Sequence, residues 1–319
     1  MSHVFRRKKT APSDINSLIS LLFGSVDPAL NHQLHYIATQ AIAAGNDPLR
    51  ALILQVDQQL VPTRVVKRFG PDDIEWIAVG HLLIATDSSE GSVSPQVATG
   101  YEPHVRRALE NLLGPGDAFV DVGANIGVHV AQASQLVGPS GRVVAVEPNP
   151  ENCRLLLLTL AKNGLANVDL IPTALGQSGD WTWFGTHIGS NGGLLPNDLD
   201  AIADGYGFVV PVRRLDDIAP HGTKVIKVDV EGAEISVLKS GLETIARDRP
   251  SIIMEFSTEM VQRVSRIDAS TALTWVESLG YRIAVLDKTT TDPLPMSAEN
   301  MLATWGSPAR IEDLLLIPN

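Results

Sequence analysis

One stretch leaves this chain few folds to choose from: an apolar strand that ends on an acid and turns through two glycines into a helix. Residues Ala118–Val122 form the strand, Asp121 lies near its end, and Gly123 and Gly127 punctuate the turn. An amphipathic helix is expected over about 126–136. The same alternation then repeats. Strands are expected at 142–146, 168–173, 225–228 and 252–255, separated by helices at 150–163 and 233–240. A helix near 269–279 and strands at 283–286 and 314–317 complete the pattern. Short apolar strands spaced by helices imply a mostly parallel sheet covered on both faces, an α/β fold of Rossmann-like type. Such sheets bind ligands beyond the carboxyl ends of their strands.

The turn itself constrains the ligand. Glycine lets the backbone adopt left-handed conformations and lets a ligand come close. The helix behind it presents free N–H groups and a positive dipole end, which suits a pyrophosphate or a carboxylate. A dinucleotide fingerprint requires G-x-G-x-x-G, whereas Gly123-Ala124-Asn125-Ile126-Gly127 offers G-x-x-x-G. Asp121 would repel a pyrophosphate and suits a cationic ligand such as a sulfonium amino acid. Glu147 follows Gly127 by 20 positions, the spacing at which an acid meets a ribose diol in nucleotide-binding α/β folds.

Four strings recur together: Phe119–Gly127, then Val146-Glu147-Pro148-Asn149-Pro150, then Leu215-Asp216-Asp217-Ile218, then Ile226-Lys227-Val228-Asp229-Val230-Glu231-Gly232-Ala233-Glu234. In this order, with the lead-in Tyr101-Glu102-Pro103, they resemble the FkbM family of S-adenosylmethionine-dependent methyltransferases over roughly residues 100–260. The resemblance implies a class I methyltransferase sheet whose last strand runs antiparallel, and methyl transfer to a hydroxyl of a sugar, glycolipid, polysaccharide or polyketide-like metabolite. It implies S-adenosyl-L-methionine as cofactor, with Asp121, Gly123, Ala124, Asn125 and Gly127 around the methionine part. Glu147, Pro148 and Asn149 then belong to the ribose end and Thr173, Ala174 and Leu175 border the adenine, while Glu102 and Asp229 complete the cofactor set. His129 departs from the family pattern, standing where an aromatic is common. Two alternatives remain open: an N-methyltransferase of the same fold, and a nicotinamide-dependent oxidoreductase.

A hydroxyl is a poor nucleophile, so a base is expected. Asp229 ends one strand and Glu255 another, with Glu231 and Glu234 close by in sequence, so four carboxylates should meet at one rim. Asp229, Glu231 and Glu255 are the expected catalytic residues, since crowded acids raise one another's pKa. No metal is expected, because ligands beyond these carboxylates are not evident. His129 could reach the acceptor but more simply packs, and His221 reads as a surface loop residue. Residues 181–193 run from aromatic to glycine-rich and read as a strand leading into a loop near the acceptor.

Residues 1–95 form a separate zone, an N-terminal extension to a methyltransferase domain at 96–319. Helices are expected near 18–22, 34–41 and 48–59, then a β-hairpin over 75–85 and a linker at 87–92. This zone is a candidate for homodimerisation. The formal net charge of −11 counts against a nucleic-acid substrate, and Arg6-Arg7-Lys8-Lys9 reads as a solvated tail. Cys153 is the single cysteine, which excludes an internal disulfide or a Cys-rich metal site. No uncharged run reaches the ~18 residues of a membrane span, and no apolar secretory segment follows the basic start, so a cytoplasmic protein is expected.

Overall fold

The computed structural model describes residues 74–87, 93–177, 181–188, 191–194, 207–288, 293–305 and 311–319. The three expected N-terminal helices, the basic run at 6–9 and the linker beyond Asp87 lie outside the described residues.

Strands β1 (Ile74–Val79) and β2 (Leu82–Asp87) pair as an antiparallel hairpin. Helices α1 (Ser94–Thr99) and α2 (Pro103–Leu112) follow, then β3 (Ala118–Val122) and α3 (Val128–Val137). Next come β4 (Arg142–Val146), α4 (Pro150–Asn163), β5 (Val168–Ile171) and β6 (Ala174–Leu175). Strands β7 (Trp181–Ile188), β8 (Asn191–Leu194) and β9 (Gly207–Arg213) precede a 3-10 turn at Leu215–Asp217. The rest is β10 (Thr223–Val228), α5 (Glu234–Lys239), α6 (Leu242–Asp248), β11 (Ser251–Ser257), α7 (Thr258–Ser265) and α8 (Ala269–Ser278). Strands β12 (Tyr281–Val285) and β13 (Leu294–Pro295), helix α9 (Ala298–Trp305) and strand β14 (Ile311–Pro318) end the chain.

The main sheet has the order β13-β12-β14-β11-β10-β3-β4-β5. From β5 to β11 every pairing is parallel, and β14 lies antiparallel between β11 and β12. This is the class I methyltransferase sheet with its antiparallel final strand. Chain order reverses at β3, which has β4 on one side and β10 on the other, so the ligand crevice belongs above those two strand ends.

Because side chains alternate across a strand, each face has its own core. Val120, Val122, Ile226, Val228, Ile252 and Met254 pack on one face with Ile235, Leu238, Leu273 and Val276. Phe119, Val143, Val225, Ile253 and Leu315 pack on the other with Val105 and Leu109 of α2 and Val130 and Val137 of α3. That second face carries Asp121, Lys227, Glu255 and Asp313 in the same alternation, an unusual polar row in a covered sheet.

The hairpin packs on the main unit through Leu82 and Ile84, against Ile126, Val128 and Leu155. Its free edge is satisfied by α4: Ala85 N–H donates to Thr159 Oγ1 at 2.9 Å, and Leu83 exchanges bonds with the Asn163 amide at 2.9 and 2.8 Å. An exposed edge is thereby closed without another strand.

Two local expectations change. The strand expected over 168–173 stops at Ile171, because Pro172 has no N–H to give the ladder. Thr173 then bonds across to the Pro211 carbonyl at 2.8 Å, and Ala174–Leu175 pair parallel with β9. The glycine-rich stretch after Trp181 holds a strand, β8, paired back on β7 through Phe184–Leu194 and Gly185–Gly193. With β6 and β9 these strands form a small second sheet.

Candidate active site

Gly123 sits with φ +84°, and a Cβ there would stand 1.8 Å from the Asp229 carbonyl oxygen. Only glycine allows β3 and β10 to approach so closely at the switch point. The turn is held by Gly123 and Ala124 N–H groups donating to the Val146 carbonyl at 2.9 and 3.0 Å. Asn125 N–H donates to Glu147 Oε2 at 2.8 Å, tying the first glycine turn to the end of β4.

A cleft of about 180 Å³, open to solvent, lies over these strand ends. Gly123, Asn125, Glu147 and Pro148 line its middle, and Thr173, Ala174, Leu175 and Phe184 line one end. Glu102, Asp229, Glu231 and Glu255 line the other, and Tyr101 and Gln96 also belong to the lining. Asp121, Ala124 and Gly127 line a smaller adjoining cavity with His129 and Lys227. Asn149 lines neither cavity. Its side chain caps α4 by accepting from Glu151 N–H at 3.0 Å, and its own N–H donates to Glu147 Oε1 at 2.8 Å.

Glu147 is 3% exposed and also accepts from the Asn152 amide at 3.3 Å. Burial pushes its carboxyl up to about 7 against these hydrogen bonds, which favour the charged form. Behind it, buried Cys153 donates its thiol to the Glu147 carbonyl, and burial pushes that thiol up to about 12. It is an inert core residue.

At the far end, ligand oxygens of Asp229, Glu231 and Glu255 lie within 4.8 Å of one another. Asp229 and Glu231 lie beyond the strand, since β10 stops at Val228. Glu231 instead adopts a left-handed φ of +53°, and Gly232 follows at +100° with its would-be Cβ 2.4 Å from the Met260 carbonyl oxygen. That sharp turn swings Glu231 back to the rim. Burial, then the charge of Asp229, pushes Glu231 up to about 7. Burial, then Asp229 and Glu231, pushes Glu255 up to about 9. The fourth acid is turned away: buried Glu234 accepts from Gly232 N–H at 2.8 Å and holds the turn.

Sequence reasoning assigned no role to Lys227, which is 3% exposed and donates to Asp229 Oδ2 at 2.9 Å. Burial opposes its charge, but Asp229, Asp121 and Glu102 outweigh that and hold the ammonium above its ordinary value. The available signal was a lysine in a strand whose two faces the pattern buries. His129, also buried, bonds Glu102 Oε2 at 2.8 Å and Gln132 Oε1 at 3.2 Å, with Tyr101 packed on its ring. Burial raises Glu102, yet the His129 bond and Lys227 prevail and keep it well below the usual carboxylate range. His221 is an exposed turn residue. No described helix is long and apolar enough to cross a membrane.

The site fits S-adenosylmethionine on its own chemistry. Its lining is acidic around one buried cation, and Asp121 Oδ1 is buried without a hydrogen-bond partner among the described residues. A sulfonium amino acid brings the opposite charges.

The chain is similar to several known proteins. The chain is 31% identical over 103 residues to a protein-L-isoaspartate O-methyltransferase of Methanococcus aeolicus, a match covering 31% of this chain and 48% of that protein. This chain therefore spans about half the length of that curated relative. Among solved structures, the methyltransferase FkbM of Methylobacillus flagellatus aligns at 17% identity over 69% of this chain and 51% of that one, with a TM-score of 0.39. The M. jannaschii TYW2 in complex with AdoMet aligns at 13% identity over 78% and 87%, with a TM-score of 0.42. The family model described as the methyltransferase FkbM domain matches residues 121–283, half of the chain, from the cofactor turn to β12. The cofactor is S-adenosylmethionine, and the chain belongs to the FkbM family of methyltransferases.

Proposed function

We propose that this chain methylates a hydroxyl oxygen of a sugar, glycolipid, polysaccharide or polyketide-like metabolite. The observation that supports this most is the meeting of Asp229, Glu231 and Glu255 at one end of the donor cleft. When bound, S-adenosylmethionine supplies a methyl group activated by its sulfonium sulfur.

In this reading Glu147 and Pro148 hold the ribose, and Thr173, Ala174 and Leu175 border the adenine. The acceptor hydroxyl lies among the three carboxylates. Asp229 is engaged by Lys227 and orients the neighbouring acids. Glu231, at about 7, is the base: a carboxyl titrating near working pH is both free enough and strong enough to take the hydroxyl proton. Glu255, at about 9, keeps its proton at neutral pH and donates a hydrogen bond that positions the acceptor. The three titrate as a group, so these roles describe its neutral-pH state. An acidic rim of this kind repels phosphate backbones, which supports a neutral hydroxyl acceptor over nucleic acid.

The test is transfer of label from methyl-tritiated S-adenosylmethionine to a panel of nucleotide sugars, oligosaccharides, glycolipids and polyketide alcohols, with peptide and RNA included. The label should survive alkali, as a methyl ether does and a carboxyl methyl ester does not. Label found only on amines, carboxyls or RNA would defeat the proposal.

A further inference from the structure

Strand β14 carries a buried acid, Asp313, that the methyl transfer proposed above does not use. Leu315, two positions on and on the same face, packs with Val105 and Leu109 of α2. An apolar side chain at 313 would extend that core, so packing gives no reason for an acid there. Asp313 also stands directly opposite Glu255 in the antiparallel pairing of β11 and β14. Side chains so paired have Cβ atoms roughly 5 Å apart, and like charges at that separation weaken a sheet.

The acid has a dedicated partner. His104, in the first turn of α2, is buried and brings Nε2 to 2.5 Å from Asp313 Oδ2. A carboxylate only accepts, so the ring donates from Nε2. Its Nδ1 is buried with no hydrogen-bond partner among the described residues. A stitch between helix and sheet would be more complete with both nitrogens bonded, whereas this ring is turned towards Asp313. A donor so placed matches a charged carboxylate. Glu255 therefore faces a carboxylate across the strand pair. Its other charged neighbours are Asp229 and Glu231, from the turn after β10, and Lys227 on β10 itself. Burial, then Asp229, Glu231 and Asp313, push Glu255 up to about 9 against the pull of Lys227.

We propose that Asp313, held by His104, is a positioning residue for methyl transfer that acts through Glu255. Its carboxylate keeps the proton on Glu255, so that Glu255 meets the acceptor as a hydrogen-bond donor. The role rests on the hydroxyl-acceptor reading above, in which Glu255 supplies that bond.

Glutamate isotope-labelled at the side-chain carboxyl carbon lets the titration of Glu255 be followed by NMR in the full chain, with Glu255→Gln assigning the resonance. Asp313→Asn removes the charge yet still accepts from His104, and it should lower the Glu255 midpoint by about one pH unit. Binding of S-adenosylhomocysteine should stay within about twofold, which reports that the variant is folded. On the hydroxyl acceptor found by label transfer, the alkaline limb of kcat/KM should move down by the same amount. Its value at pH 8.5 then falls roughly threefold while that at pH 7 is unchanged. If Asp313→Asn does not fold, the double variant His104→Leu, Asp313→Leu extends the apolar core instead and should show the same fall in midpoint. A tether alone predicts no change when its bond is kept, so an unmoved Glu255 midpoint in Asp313→Asn overturns the positioning role. A midpoint that falls while the alkaline limb stays in place overturns it too. Should Glu255→Gln turn over like the wild type on that acceptor, the reading of the acceptor site fails and takes the role with it, whatever the midpoint does.

Discussion

Glu255 should be a residue that the fold tolerates at a loss. Its carboxyl, ordinarily near 4.5, is pushed up to about 9 by burial and then by Asp229 and Glu231. The unfolded chain releases this proton near 4.5 while the folded chain keeps it, so the native state binds more protons between those values. Stability is then full at low pH and falls as pH rises towards 9. Each pKa unit corresponds to about 1.4 kcal/mol, so at pH 8 an isolated group would forfeit roughly 5 kcal/mol. Glu255 is partly exposed and shares its titration with its neighbours, which leaves on the order of 1–3 kcal/mol. Glu255→Gln keeps the shape and removes the charge. It should therefore stabilise the ligand-free chain at pH 8, by about 3–10 °C in midpoint for a unit of this size. At pH 5 the two proteins should melt together within about 1 °C, since the native carboxyl is protonated there. Differential scanning fluorimetry at both values decides the matter. A variant no more stable than wild type at pH 8, or equally stabilised at pH 5, refutes the argument that the acid triad is electrostatically strained.

Gly123→Ala forces a backbone clash with the Asp229 carbonyl and should lower stability by about 3 kcal/mol or more in urea melts. Gly164→Ala, in the left-handed region at the end of α4 and with open space around its Cβ, should lose only about 1 kcal/mol. Glu147→Gln should weaken S-adenosylhomocysteine roughly tenfold at pH 8. Because the wild-type carboxyl titrates near 7 and a ribose diol donates to the ionised form, wild-type affinity should rise between pH 6 and 8 while the variant's stays flat in calorimetry. Glu231→Gln should reduce turnover on the identified acceptor by roughly a hundredfold and remove the limb of the pH–rate profile near 7, with donor affinity unchanged. Asp313→Ala removes the acceptor of the buried bond of 2.5 Å to His104 Nε2 and should lower the urea-derived stability by about 1–3 kcal/mol.

What could be read before folding follows a physical division. Strands β3, β4 and β10 lay open in the sequence because each is a short, mostly apolar run bounded by turn signals and followed by a helical pattern. The small sheet of β6 to β9 was only half legible. Strands β6 and β8 are only two and four residues long, and β6 is stabilised by a Thr173 bond to a residue 38 positions away. Local pattern carries no trace of such a partner. The site divides in the same way. Asp121, Gly123 and Glu147 announce themselves because strand ends and turns carry their chemistry in local spacing. Glu231 was expected at the rim from its nearness in sequence to Asp229 and arrives there by a left-handed turn, with Gly232 behind it packed against the Met260 backbone. Lys227 was hidden for the opposite reason: it sits inside a well-formed strand, where a pattern-based reading expects side chains that only pack. Its partners come from outside local pattern as well: Asp229 bonds it from beyond the strand end, and Asp121 stands beside it only because β10 and β3 pair in that register.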